Sequence, residues 1–298
     1  MAGSKNGTFL LDRRYMDYHS ERFTDHSLMF YDDGRLAAVL SANHSGDTLY
    51  SHQGLTYGGL IMSERCKTVE VCEIFEAMNR HLLENGILRV WYKPVPHIYH
   101  RYPAEEDLYA LFNVCHARLV RRDASSAIIP STPVKWNRDR HYAANKARTD
   151  GIIVEESEAF EVFWPILTDN LLTTYGAAPV HSLEEIQLLK SRFPGSIRLY
   201  LARKVDGEPL AGTVLYVTPH VIHAQYISAT PEGKHLHAVD ALFSRIIRED
   251  FASYAYIDLG TSSGDGTYGL HTTLIYQKEG FGGRGVCYDT YAWEVTPQ

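Results

Sequence analysis

Residues 197–228 read IRLYLARKVDGEPLAGTVLYVTPHVIHAQYIS, three apolar runs divided by Asp206-Gly207 and by Pro219. Aromatic and β-branched residues alternating with smaller or polar ones predict strands, and Asp-Gly supplies the positive φ of a tight hairpin turn. Three antiparallel strands follow. Upstream, Ser157 predicts the cap of a helix carrying Phe160, Phe163, Trp164, Leu167, Leu171 and Leu172, with Gly176 as its stop. Ser182 and Glu185 form a capping box for a second helix with Ile186, Leu189 and Phe193 on one face. Downstream, Val239, Leu242, Phe243, Ile246 and Ile247 recur at helical spacing between about His237 and Asp250. Strand YAYIDLGT, loop SSGDG, helix YGLHTTLIYQKEG and strand GVCYDTYAWEV complete the order.

The first half repeats that order with little identity. HSLMFYDDGRLAAVLSA (26–42) parallels LYLARKVDGEPLAGTVLYV (199–217), and TLYSHQGLTYGGL (48–60) takes the place of VIHAQYISATPEG (221–233). Residues 69–93 match 237–260 in pattern, and 107–129 match the closing helix and strand. Two tandem copies are expected, residues 1–134 and 135–298, with the last strand able to pack back on the first copy. The connector PSTPVKWNRDRHYAANKARTDG between them is broken by Pro130 and Pro133 and carries a helix from about Asp139 to Thr149 that ends at Gly151.

With 45% hydrophobic and 22% charged residues in 298, the chain reads as an ordinary globular protein. It has no uninterrupted apolar run of membrane-spanning length and no signal-peptide pattern at its N-terminus, so a cytoplasmic protein without integral membrane association is expected. A net charge of −7 argues against DNA binding by a uniformly basic surface. Cys66, Cys72, Cys115 and Cys287 lack CxxC spacing and read as reduced thiols. The histidine pairs His220/His223 and His235/His237 have no third ligand at diagnostic spacing, so no metal site is expected.

The order of helices and strands resembles the GNAT acyltransferase domain. The tandem arrangement, the linker RDRHYAANKARTDG (138–151) and the terminal Tyr276-Gln277-Lys278-Glu279-Gly280-Phe281-Gly282 element resemble the Fem acyltransferases, peptidyltransferases that add amino acids to cell-wall precursors. The resemblance implies an α/β (α+β) fold of two GNAT-like domains, each a mixed, mostly antiparallel sheet flanked by helices. It also implies an acyltransferase that moves an acyl or aminoacyl group to an amine of a cell-envelope, polysaccharide or peptide precursor, by direct attack. The donor, acyl-CoA or aminoacyl-tRNA, would be a co-substrate, with no bound cofactor. The acceptor would be a small-molecule or nucleotide-linked precursor.

Acyl transfer needs a proton acceptor and donors for a tetrahedral oxyanion. By the resemblance, Lys278 supplies the positive charge near the acyl group; its other reading is a lysine satisfying a helix C-terminus. His223 or Asp258, on neighbouring strands at the cleft, is the candidate base. Alternation places His223 and Gln225 on one face and Ala224 and Tyr226 on the other. Gln225 and Tyr226 are candidate substrate contacts, as are His52, Gln53 and Tyr57 in the polar, glycine-rich stretch SHQGLTYGG (51–59). Gly280, Gly282, Gly283 and Arg284 would bring backbone close to the reacting group. A basic run containing Arg138, Arg140 and Lys146 is the candidate grip on phosphates. Stretch 229–237, where a CoA-binding GNAT would hold pyrophosphate, has one glycine, a proline and an acidic residue. Two alternatives stay open: a CoA-dependent N-acetyltransferase with an unconventional pyrophosphate site, and a non-catalytic binding module.

Overall fold

A computed structural model describes residues 3–296, which separate into two compact units. One comprises the chain up to Asp123 together with the stretch from Cys287 onward; the other is Ala124–Val286. The division falls inside two strands, against the expected boundary between 134 and 135.

In the first unit, α1 (Arg13–Met16) precedes β1 (Thr24–Asp25), β2 (Leu28–Asp32), β3 (Arg35–Leu40), β4 (Asn43–Ser45), β5 (Thr48–Tyr50) and β6 (Leu60–Met62). Then come α2 (Thr68–Glu84), β7 (Arg89–Tyr92), α3 (Glu106–Asn113) and β8 (Arg118–Ile128). Asp33 and Gly34 both have positive φ, 47° and 77°, which closes the β2–β3 hairpin. β5 pairs parallel with β7 across α2, and β7 pairs antiparallel with Tyr291–Glu294 of the closing strand. One face of α2, with Val71, Phe75, Met78 and Leu82, fills the core against Leu49, Val90, Tyr92 and Trp293.

The second unit opens with α4 (Arg138–Thr149), capped by Asn137, whose side chain accepts from Arg140 N. It continues through β9 (Ile153–Ser157), α5 (Phe160–Tyr175), α6 (Leu183–Arg192), β10 (Ile197–Arg203), β11 (Pro209–Val217) and β12 (Val221–Ala229). α7 (Pro231–His235), α8 (Ala238–Arg245), β13 (Tyr256–Thr261), α9 (Thr272–Gly280) and β14 (Arg284–Glu294) follow. Gly176 stops α5 at φ 62°, and the Ser182–Glu185 capping box opens α6. β9 to β12 form an antiparallel series; β12 then pairs parallel with β13 only at Val221–His223, and beyond that the two strands part. On the other side of β13, residues Ser125–Ile128 of β8 pair antiparallel. Each copy thus pairs its parallel strand, β7 or β13, with the closing strand of the other copy, which is why the units divide within β8 and β14.

Three local expectations change. Ser157 ends β9 rather than capping α5, whose N-cap is Ala159; its hydroxyl accepts from Ala159 N. The helix expected to run from His237 to Asp250 is regular only to Arg245 and finishes in a π turn over Ile246–Asp250. A bulge between Ala224 and Tyr226 leaves Gln225 as the extra residue of β12, because Val214 pairs with Tyr226 while Leu215 pairs with Ala224. Alternation therefore slips by one. Ile222, Ala224 and Ala229 join the α8-side core around Phe243, whereas Tyr226 turns to the α5 side, edge-on to Trp164. Ala224 and Tyr226 do not share a face.

Candidate active site

The place where β12 and β13 part is where three of the sequence-selected residues come together. Ile257 and Leu259 of β13 face the α8-side core, so Asp258 between them faces the other way and is fully buried. Its Oδ2 lies 2.8 Å from Nδ1 of His223, its register partner on β12. Its Oδ1 accepts from the Ser125 hydroxyl at 2.5 Å and from Gly260 N at 3.0 Å. A carboxylate with these partners is fixed in orientation. Facing an acceptor, His223 Nδ1 takes the donor role toward Asp258, which leaves Nε2 as the nitrogen that can accept a proton.

Gly260 sits at φ +78°, a conformation open to glycine, and a side-chain carbon added there would meet the His223 Cε1 at 3.6 Å and Lys278 Nζ at 3.9 Å. Histidine and lysine thus converge on one backbone position. Lys278, near the end of α9, is buried and donates to the carbonyls of Gly260 at 2.8 Å and Thr261 at 2.7 Å. Burial pushes its pKa down to about 8, partly opposed by the charge of Asp258. The ammonium anchors the end of β13, and one of its three N–H donors is left over. It does not serve its own helix terminus.

Behind the bulge, Tyr226 hydroxyl and His181 Nδ1 are 2.6 Å apart, and His181 is buried. Neither Ser125 nor His181 was singled out in the sequence. Ser125 lies 133 positions from Asp258 and has no motif around it. A histidine directly before the Ser182 cap could have been noticed.

The glycines after Lys278 answer to protein atoms. A side-chain carbon at Gly280 would lie 2.9 Å from Arg140 Cγ and from Asn137 Nδ2, and one at Gly282 would lie 2.5 Å from the Val134 carbonyl oxygen. At Gly283 it would meet the Lys278 carbonyl oxygen at 2.8 Å. Gly282 also has φ +90°. These glycines admit the connector backbone, and Asn137 N donates to Gly280 O at 2.9 Å. Phe281 packs on Trp136 and Phe243 beside them. Arg284 is exposed and donates to the Gly283 carbonyl.

The remaining candidates are scattered. Arg140 is engaged by Asp240 at 2.8 Å and lies over the Phe281 ring, so it ties α4 to α8. Lys146 pairs with Asp150 on the exposed face of α4. Arg138 is exposed at the start of the same helix. His52, Gln53 and Tyr57 belong to the first unit. Burial drives His52 down to about 4, Gln53 accepts from Asn43, and the Tyr57 hydroxyl pairs with Thr8. Gln225 stands at the bulge, two residues from His223.

Stretch 229–237 is closed on itself. Thr230 caps α7 by accepting from Gly233 N, Glu232 pairs with Lys204, and a side-chain carbon at Gly233 would strike the Leu210 carbonyl at 2.1 Å.

Residues 138–268 match the family described as an acetyltransferase (GNAT) domain. No curated protein matches the chain by sequence. Among solved structures, FemX superposes with a TM-score of 0.70 at 9% identity, covering 98% of this chain and 93% of that one. L-PGS from Bacillus licheniformis gives 0.60 at 12%, covering 98% and 92%. The C-terminal domain of a lysylphosphatidylglycerol synthetase described as putative, from Agrobacterium fabrum, gives 0.56 at 14%, covering 94% and 90%. The chain shares its fold with these structures, and residues 138–268 within it match the GNAT domain.

Proposed function

We propose that this protein is a GNAT-type acyltransferase that moves an acyl or aminoacyl group to an amine of a cell-envelope precursor, with His223 as general base. The observation that carries the reading is the Ser125–Asp258–His223 chain at the parting of β12 and β13. The acceptor nitrogen attacks the acyl carbonyl carbon, its proton passes to His223 Nε2, and the collapsing intermediate expels the donor's oxygen or sulfur, which takes a proton in turn. The remaining donor of Lys278 offers a hydrogen bond to the developing oxyanion. Gln225, lifted out of register by the bulge two residues from His223, is the proposed acceptor contact on β12.

Aminoacyl-tRNA is the favoured donor. Thr230, Pro231, Glu232 and Gly233 fill the turn in which a CoA pyrophosphate would rest with side chains and an anion, which disfavours a second anion there. The names of the fold neighbours, FemX and lysylphosphatidylglycerol synthetase, fit an envelope acceptor. A CoA donor is the second reading, favoured by the acetyltransferase family match. The two separate in a mass-spectrometric assay of UDP-linked peptide precursors incubated with a charged tRNA pool or with acetyl-CoA. A product mass matching one aminoacyl residue supports the first donor, an increment of one acetyl group the second, and no product with either removes the transfer reading.

A further inference from the structure

Within the second unit, a cavity of about 820 Å³ opens between the connector and the end of the α8 helix, lined by Pro130, Pro133, Val134, Trp136, Ile247 and Ala252 on its apolar side. That volume is typical of a small-molecule site. Lys135, Arg138, His141 and Arg248 complete the lining, with no acidic residue among them. On α8 and the π turn after it, Asp240 is engaged by Arg140, and Glu249 and Asp250 by Arg245, while Asp139 of α4 is exposed to solvent. Among the described residues, Lys135, Arg138 and Arg248 form no ion pair. Arg248 lies over the Trp136 indole at 3.8 Å, which presets its guanidinium at the rim and covers the ring face a base could have stacked on. Ile129 and Val134 are exposed at 43% and 38% beside this basic rim. In an otherwise acidic chain, local positive charge over an aliphatic floor is complementary to one kind of ligand.

We infer that this cavity binds an organic phosphate carried on an aliphatic chain, the phosphoryl oxygens held by Arg138, Arg248 and Lys135 and the chain laid along Pro130, Pro133, Val134 and Ile247. None of these residues belongs to the His223–Asp258–Lys278 cluster, so the inference does not depend on the transfer reaction. It also moves the phosphate grip away from Arg140 and Lys146, whose charges are spent on Asp240 and Asp150.

The test is calorimetric titration of the full chain with farnesyl diphosphate, UDP and inorganic diphosphate. Farnesyl diphosphate should bind at least about tenfold more tightly than either of the others, and Arg138→Gln or Lys135→Gln should weaken it by about tenfold each, the equivalent of one charge-assisted contact. Both side chains are exposed, so these variants retain the fold. His223→Gln should leave binding unchanged. Tighter binding of UDP, equal binding of inorganic diphosphate, no binding at all, or binding indifferent to Arg138 and Lys135 would each overturn the assignment.

Discussion

His223 Nδ1 and Asp258 Oδ2 stand 2.8 Å apart on adjacent parallel strands, at the last register pair before β12 and β13 separate. The strand edge opens directly beyond them, so the histidine is held by the sheet while its far nitrogen is left to other chemistry. His223→Gln is expected to lower the transfer rate by about 10²–10⁴-fold, the range for loss of a general base, with a melting temperature close to that of the parent. Unchanged turnover in the variant would exclude the role.

Asp258→Asn gives a more specific outcome. Ser125 and Gly260 N both donate to Oδ1, so the amide oxygen of Asn must occupy that position and its NH2 must face His223. The imidazole then has to accept at Nδ1 and carry its proton on Nε2, the wrong tautomer for a base. Activity should be lost while the fold survives, and ¹⁵N NMR of the ring should report protonation moving from Nδ1 to Nε2. A parental tautomer in the variant would contradict the account.

Lys278 predicts a pH dependence of stability. Its pKa falls from the ordinary 10.5 to about 8 on folding. Below pH 8 both folded and unfolded chains carry the proton and the burial cost is felt in full. Between pH 8 and 10.5 the unfolded chain binds more protons than the folded one, so this residue's contribution to stability rises with pH. Relative to Lys278→Met, the parent should gain up to about 3 kcal/mol across that window. Urea denaturation of both proteins at pH 7.5 and pH 10.5 measures the difference, and a constant gap would show that the lysine is not desolvated.

The glycine turn predicts a ranking. Gly282→Ala combines φ +90° with a carbon 2.5 Å from a backbone oxygen, which cannot move aside, and should cost about 2–4 kcal/mol. Gly280→Ala meets the Arg140 and Asn137 side chains rather than backbone and should cost about 1 kcal/mol, with KM unaffected. A large KM effect for Gly280→Ala would restore these glycines as substrate contacts.

Local signals in the sequence translated well where one residue decides the backbone: Gly176, Gly207 and the Ser182–Glu185 box stand where the pattern put them. β9 went unread because Glu155 and Glu156 make it look like a charged loop, whereas in the sheet they pair with Arg203 and Arg198 of β10. The bulge at Gln225 was invisible, since it depends on the register of β11, and it reversed the facing of Tyr226. Lys278, His223 and Asp258 could be selected by resemblance and strand order. Ser125, the connector packed on the glycines and the swapped closing strands depend on contacts between distant parts of the chain, which no local pattern carries.

The most direct measurement is the rate of acyl or aminoacyl transfer to a UDP-linked peptide precursor, followed by mass spectrometry for the parent and for His223→Gln at equal concentration of folded protein. The account predicts product from the parent and a loss of at least about 100-fold in the variant. Equal rates for the two proteins would show that transfer does not pass its proton through His223, and the central claim would fall.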